Sequence, residues 1–212
     1  MFRDRIDAGR QLADKLKEIK DKNLLILALP RGGVPVGYEV ARTLNAPLDV
    51  FVVRKIGLPW NPELGIGAVA PGIQLLDEAS LQMLGLNRLD IKNIIDQEQE
   101  ELERRILLYR GGEELQNVVG KTVILVDDGL ATGITAQVAL KAIKQLKPER
   151  LILAVPVGSS DTVNLLREFV DELICLESSS HFYALSVFYL SFPQVSDEEV
   201  ISLLRKAKKE LS

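Results

Sequence analysis

Leu24-Leu25-Ile26-Leu27-Ala28-Leu29, Thr122-Val123-Ile124-Leu125-Val126 and Leu151-Ile152-Leu153-Ala154-Val155-Pro156-Val157 are almost wholly apolar runs, and they limit the fold more than any other feature of the chain. A strand with one wet face alternates apolar and polar residues. These runs have no polar side, so each strand must be covered on both faces, as in a parallel sheet. Leu48 to Val53 and Leu173-Ile174-Cys175-Leu176 read as two further strands, the first rich in β-branched and aromatic residues. Helical segments are predicted from Val34 to Leu44, from Thr135 to Leu146 and from Thr162 to Phe169, with an amphipathic helix from about Arg10 to Ile19 ahead of the first strand. Strands alternating with helices predict an α/β domain, its central and mainly parallel sheet flanked by helices.

The middle of the chain departs from that alternation. Arg54-Lys55-Ile56-Gly57-Leu58-Pro59-Trp60-Asn61-Pro62 is too rich in Gly and Pro to continue regular structure. Leu64 to Val69 and Ile73 to Leu76 suggest short strands around Ala70-Pro71-Gly72, and Asn87 to Arg110 is mainly helical with a solvated, charged face. With 212 residues and no low-complexity linker, the expected organisation is one domain over 1–212, in which 73–110 forms a small hood or inserted helical subregion.

A net charge of -4 argues against nucleic acid as a partner, because such proteins carry a basic face. It leaves room for a phosphate ligand held by a few local cations and backbone N–H groups. The start Met1-Phe2-Arg3-Asp4 lacks the apolar run of a signal peptide, and no apolar stretch is long enough to span a membrane, so a soluble cytoplasmic protein with no membrane partner is expected. The single cysteine, Cys175, lies in an apolar run and reads as a buried, unreactive thiol.

The densest chemistry follows the strand at Val123. Asp127 and Asp128 can accept hydrogen bonds from vicinal hydroxyls, and Ala131-Thr132-Gly133-Ile134-Thr135 can turn successive backbone N–H groups inward at the start of a helix. The Thr132 and Thr135 hydroxyls add donors, and Gly133 permits a backbone conformation denied to other residues. Taken singly, paired acids after a strand serve as turn and cap residues. Strand, acids, Thr-Gly-Ile-Thr loop and helix together describe a cradle for a phosphorylated sugar.

Val123 through Thr135 resembles the 5-phosphoribosyl 1-diphosphate signature of the type I phosphoribosyltransferases, and the order of elements from about Leu24 to Leu176 is similar to that fold. The whole chain looks like a less characterised bacterial branch of the family. The resemblance implies that Asp127 and Asp128 contact the ribose hydroxyls and that Ala131 through Thr135 enclose the 5-phosphate. It further implies that Arg31, Gly32 and Gly33, after the first strand, form the diphosphate loop, in which a cis peptide is common. Arg54 and Lys55 would add positive charge to the leaving group. Mg2+ is the expected cofactor, held mainly by substrate and water, with no direct protein ligand required.

The reaction implied is displacement of diphosphate from C1 of the ribose by a nitrogenous base. The base is not fixed by the sequence; Trp60, Phe182 and Tyr183 are candidates for its pocket, and Glu63, Gly65 and Gly67 lie in the same region as Trp60. The stretch Gly57 to Glu63 departs from the lysine-rich, histidine-containing pattern of the orotate enzymes. Ile73 to Arg110 is a candidate hood or oligomer contact, a homodimer being the assembly envisaged. Two other readings stay open: a regulatory protein that binds the donor or a nucleotide without transfer, and, less well supported by the loops, a dinucleotide enzyme or receiver domain.

Overall fold

The computed structural model describes residues 1–58 and 60–210, the side chains of residues 61–64 excepted. The chain forms two compact units, Met1–Phe51 with Leu115–Ser212, and Val52–Glu114.

In the first unit, α1 (Arg5–Leu16) is capped by Asp4, whose carboxylate accepts from the Asp7 N–H, so the helix begins earlier than Arg10. It leads into β1 (Leu24–Ala28), then α2 (Gly33–Leu44) and β2 (Leu48–Val50). The apolar runs are strands as expected, and every residue of β1 is buried. After the second unit the chain re-enters the sheet.

The second unit is built from the antiparallel strands β3 (Arg54–Leu58), β4 (Asn61–Ala70) and β5 (Ile73–Leu76), followed by α3 (Glu78–Met83) and α4 (Lys92–Arg110). One expectation is corrected here. Arg54 to Leu58 is a strand, because Ile56 and Leu58 bury their side chains while register shifts on either side of Gly57 absorb the irregularity. The second compact unit, Val52 to Glu114, contains the expected subregion at 73–110, with β5 paired to β4 and β4 to β3. Leu102 and Tyr109 of α4 are buried, and α4 packs on β3 and β4. Its charged face is solvated, with Glu101 accepting from Arg104 and Arg105, which holds that carboxyl down at about 2.

Back in the first unit, β6 (Thr122–Val126), α5 (Ile134–Gln145), β7 (Arg150–Ser159), α6 (Ser160–Leu166) and β8 (Glu172–Ser179) follow in turn, with a 3-10 turn over Arg167–Phe169. A further helix, α7 (Asp197–Glu210), for which no expectation was drawn from the sequence, packs on α2 and β2. The sheet order is β2-β1-β6-β7-β8, and every neighbouring pair is parallel.

That order reverses between β1 and β6. From β1 the chain crosses to β2 on one side; from β6 it crosses to β7 and β8 on the other. Right-handed crossovers then put α2 and α5 on opposite faces, which covers the apolar strands on both sides. Consistent with this, α2 packs on β1, β2 and β6, whereas α5 and α6 pack on β7, and α6 also on β8. The helices diverge at the carboxyl ends of β1 and β6, leaving the crevice where ligands bind in open α/β sheets.

Cys175 on β8 is half-buried, and desolvation pushes its thiol up to about 11, in keeping with an unreactive group. Among the described residues no helix is long and apolar enough to cross a membrane. Leu125 is fully buried in the middle of the sheet. Leu125→Ala is expected to cost about 2–5 kcal/mol of stability, read as a lower urea midpoint at unchanged slope.

Candidate functional site at the sheet switch point

The site begins where β1 and β6 end. Asp127 and Asp128 follow β6 directly, and Pro30 to Gly32 leave β1 on the adjacent strand. The Pro30–Arg31 peptide bond is cis. Backbone and acids lie in contact: a Cβ on Gly32 would run into the Asp128 carboxylate, and one on Gly33 would come within 2.8 Å of the Val126 carbonyl oxygen. Only glycine allows the two loops this approach.

Asp128 is buried and Asp127 half-buried. The Asp128 N–H donates to Asp127 Oδ1 at 2.9 Å. Arg5, the first residue of α1, donates through Nε to Asp128 Oδ2 at 2.7 Å. The Tyr189 hydroxyl donates to the Asp128 carbonyl at 2.6 Å. Burial, followed by the negative charge of Asp128, raises the Asp127 carboxyl well above the usual range. Burial also raises Asp128, and the Arg5 guanidinium works against that rise.

Beyond the acids, the chain is tied to β7. The Leu130 N–H donates to the Val157 carbonyl at 2.9 Å, and the Ser159 N–H donates back to the Leu130 carbonyl at 3.0 Å. Thr162 Oγ1 donates to the Ala131 carbonyl at 2.7 Å. The loop therefore has a fixed base while Ala131, Thr132 and Thr135 remain exposed. Gly133 stands at the N-cap of α5 with φ +70°, and a Cβ there would strike Thr162. Ile134, the first residue of α5, is 41% exposed. With no acid in the first turn of α5 and the helix N–H groups pointing outward, this end of the helix suits an anion.

The structure thus brings together three of the predicted segments: Arg31-Gly32-Gly33, Asp127-Asp128 and Ala131 through Thr135. Arg31 is half-exposed and pairs loosely with Asp197 of α7, its Nη1 3.7 Å from Asp197 Oδ1. Such a wet pair is weak and leaves Arg31 able to turn to another anion. Arg54 and Lys55 belong to the second unit, where Arg54 Nε donates to Glu98 at 2.8 Å and Lys55 lies on the same strand. Trp60, also in that unit, is 67% exposed. The side chain of Glu63 lies outside the described residues, as does Pro59 of the Gly57 to Glu63 stretch. The close approach at Gly67 is to β5, where a Cβ would meet the Leu75 carbonyl.

After β8, Phe182 stacks on Phe188 at 5.2 Å and packs against the cluster that Phe2, Ala8, Val157 and Tyr189 form. Tyr183 is 88% exposed. Among the described residues no group of three or more His, Cys, Asp and Glu side chains could hold a metal ion. Asp127 and Asp128 are nevertheless hard oxygen donors whose mutual repulsion a divalent cation would ease, a set compatible with Mg2+ carried chiefly by substrate oxygens and water.

The family model described as the phosphoribosyl transferase domain matches residues 3–192. The chain belongs to that family. It is 39% identical over 213 residues to a Mycobacterium tuberculosis protein named "Putative phosphoribosyl transferase", covering 100% of this chain and 48% of that one. The chain therefore spans about half the length of that relative. A crystal structure of a Thermus thermophilus protein matches with TM-score 0.86 and 37% identity, over 97% of this chain and 98% of that one. The adenine phosphoribosyltransferase of Helicobacter acinonychis is 25% identical over 181 residues, covering 79% of this chain and 96% of the relative.

Arg5 and Tyr189 were missed in the sequence. Arg5 sits in a charged segment with no motif around it, and Tyr189 is one of several rings after β8; each meets Asp128 through tertiary contact. The raised carboxyl of Asp127 carries a stability consequence. A folded-state value above the unfolded one, near 3.9, means that the folded protein binds more protons, so stability is lost as pH rises from there through the folded value. Asp127→Asn keeps an acceptor for the Asp128 N–H and removes that charge. The variant is expected to melt higher than the parent at neutral pH, with the difference vanishing near pH 3, as scanning calorimetry across pH would show.

Proposed function

We propose that the protein transfers the 5-phosphoribosyl group from 5-phosphoribosyl 1-diphosphate to a nitrogenous base and releases diphosphate. The observation that carries this reading is the meeting of two loops at the switch point: a glycine turn with a cationic arm, in contact with an acidic pair that continues into an anion-binding helix start. A simple sugar phosphate needs only the second loop. An activated ribose needs both.

In this reading Asp127 and Asp128 accept from the ribose hydroxyls, Ala131 through Thr135 hold the 5-phosphate, and Arg31 with the Gly32 and Gly33 backbone holds the diphosphate. The acceptor nitrogen bonds to C1 as the C1–O bond breaks, and the electron pair leaves with diphosphate. Positive charge gathers on the ribose ring, and the carboxylates beside it favour that state over the reactant. Mg2+, if bound beside Asp127 and Asp128 and held chiefly by donor oxygens and water, would supply positive charge to neutralise the leaving diphosphate. Arg54 and Lys55 are assigned further positive charge for diphosphate, which for Arg54 requires exchange of its Glu98 partner. Trp60, Phe182 and Tyr183 are assigned to the acceptor; Tyr183 is the most accessible of them and Phe182 the most firmly packed. A cytoplasmic location and a homodimer belong to the same proposal.

Diphosphate release with Mg2+ present, on adding a panel of bases headed by adenine, tests the reading directly. Release with at least one base is expected, and Asp127→Asn should lower the rate by about a hundred-fold or more while leaving the fold intact. Saturable donor binding with no release across the whole panel would instead mark the protein as a sensor.

A further inference from the structure

We propose that Arg5 is a positioning residue for the ribose site: its guanidinium holds one carboxylate oxygen of Asp128 and leaves the other to the sugar. The inference rests on the donor-binding reading above and names a residue that no sequence signal marks.

Arg5 is 9% exposed, which for arginine demands partners. It has three, from two separate regions of the first unit. Nε donates to Asp128 Oδ2 at 2.7 Å, across 123 positions of sequence. Nη1 donates to the Pro193 carbonyl at 2.6 Å. The guanidinium carbon lies 3.7 Å from the centre of the Phe192 ring. The fork is thus held in one orientation by a carbonyl, a ring and the acid itself. Its base is held too: the Phe2 N–H donates to the Phe188 carbonyl at 2.8 Å, and the Leu190 N–H donates to the Phe2 carbonyl at 2.8 Å, so the segment before α1 and the segment after β8 form one ladder.

A buried ion pair is an inefficient source of stability, since desolvation consumes most of its attraction. Its consequence here is geometric. Of the four carboxylate oxygens in the pair, Asp127 Oδ1 accepts from the Asp128 N–H and Asp128 Oδ2 accepts from Arg5. The two carboxyls also meet each other side chain to side chain, so the Asp128 oxygen that Arg5 does not hold is left to a contact that a sugar hydroxyl can replace. Two vicinal hydroxyls require two acceptors. The Asp128 backbone is fixed independently by the Tyr189 hydroxyl, so Arg5 acts on the side chain alone.

Charge is the second part of the role. The groups facing Asp128 are Arg5 from α1, Asp127 beside it and the Tyr189 hydroxyl from the segment after β8; Arg31, in the loop against it, points to Asp197. Arg5, first among these, favours the ionised acid against burial. Without it the Asp128 carboxyl is raised further, and the geometry that presents its free side to the sugar is lost.

Calorimetric titration of 5-phosphoribosyl 1-diphosphate with Mg2+, in a pH series, reads both effects without needing an acceptor base. Arg5→Gln is expected to bind about ten- to a hundred-fold more weakly at neutral pH, as loss of a charge-assisted contact implies, with the deficit shrinking as pH rises and Asp128 ionises. Arg5→Lys keeps the charge but not the fork, and should recover part of the affinity with a pH profile close to that of the parent. Arg150→Gln, which removes ion pairs to Asp21 and Glu172 at the opposite end of β7, should lower the melting temperature without moving the pH profile. Unchanged affinity and profile in Arg5→Gln overturn the inference and leave the donor site standing; a parent protein that binds no donor overturns both. If Arg5→Gln does not fold, Arg5→Lys decides: full parental affinity then sinks the proposal.

Discussion

Leu24 to Ala28 lies in parallel register with Thr122 to Val126, and the Leu29 N–H continues the ladder by donating to the Val126 carbonyl at 2.9 Å. The chain consequently leaves both strands at the same level, one turning into a glycine loop and the other into two aspartates. Every feature of the site depends on that alignment. A slip of one residue would turn the acids toward the opposite face of the sheet, and a bulkier residue at Gly32 would part the loops.

Holding two carboxylates side by side in a buried crevice works against folding, and the surroundings show how the molecule accommodates it. Arg5 faces Asp128, the Asp128 N–H faces Asp127, and aromatic rings from the segment after β8 exclude water around Arg5. The Asp127 charge remains poorly compensated. An uncompensated acid is what a cationic ligand, or a sugar developing positive charge, would find favourable, so the cost to the free protein and the use to the bound one have the same source.

The second unit illustrates a different economy. Charged residues dominate α4, yet a thin apolar seam at Leu102 and Tyr109 suffices to seat it on β3 and β4. Arg54 and Glu98 join strand and helix through a paired contact within that unit.

The sequence by itself determined the parallel strands, the acidic pair and the loop after it, because those signals are local: an unbroken apolar run requires cover on both faces, and adjacent Asp, Thr and Gly carry their chemistry wherever the strand ends. It was equally able to mark Arg31-Gly32-Gly33, though not the contact of those glycines with Asp128. It failed at Arg54 to Leu58, where Gly and Pro masked a strand sustained by the burial of Ile56 and Leu58, and at α7, whose packing on α2 and β2 joins distant parts of the chain. The partner of Asp128 was decided by tertiary structure alone. Nothing within hydrogen-bonding reach along the sequence identifies Arg5, and only the packing of α1 on α2 and β7 brings a cation across 123 residues to the acid it orients.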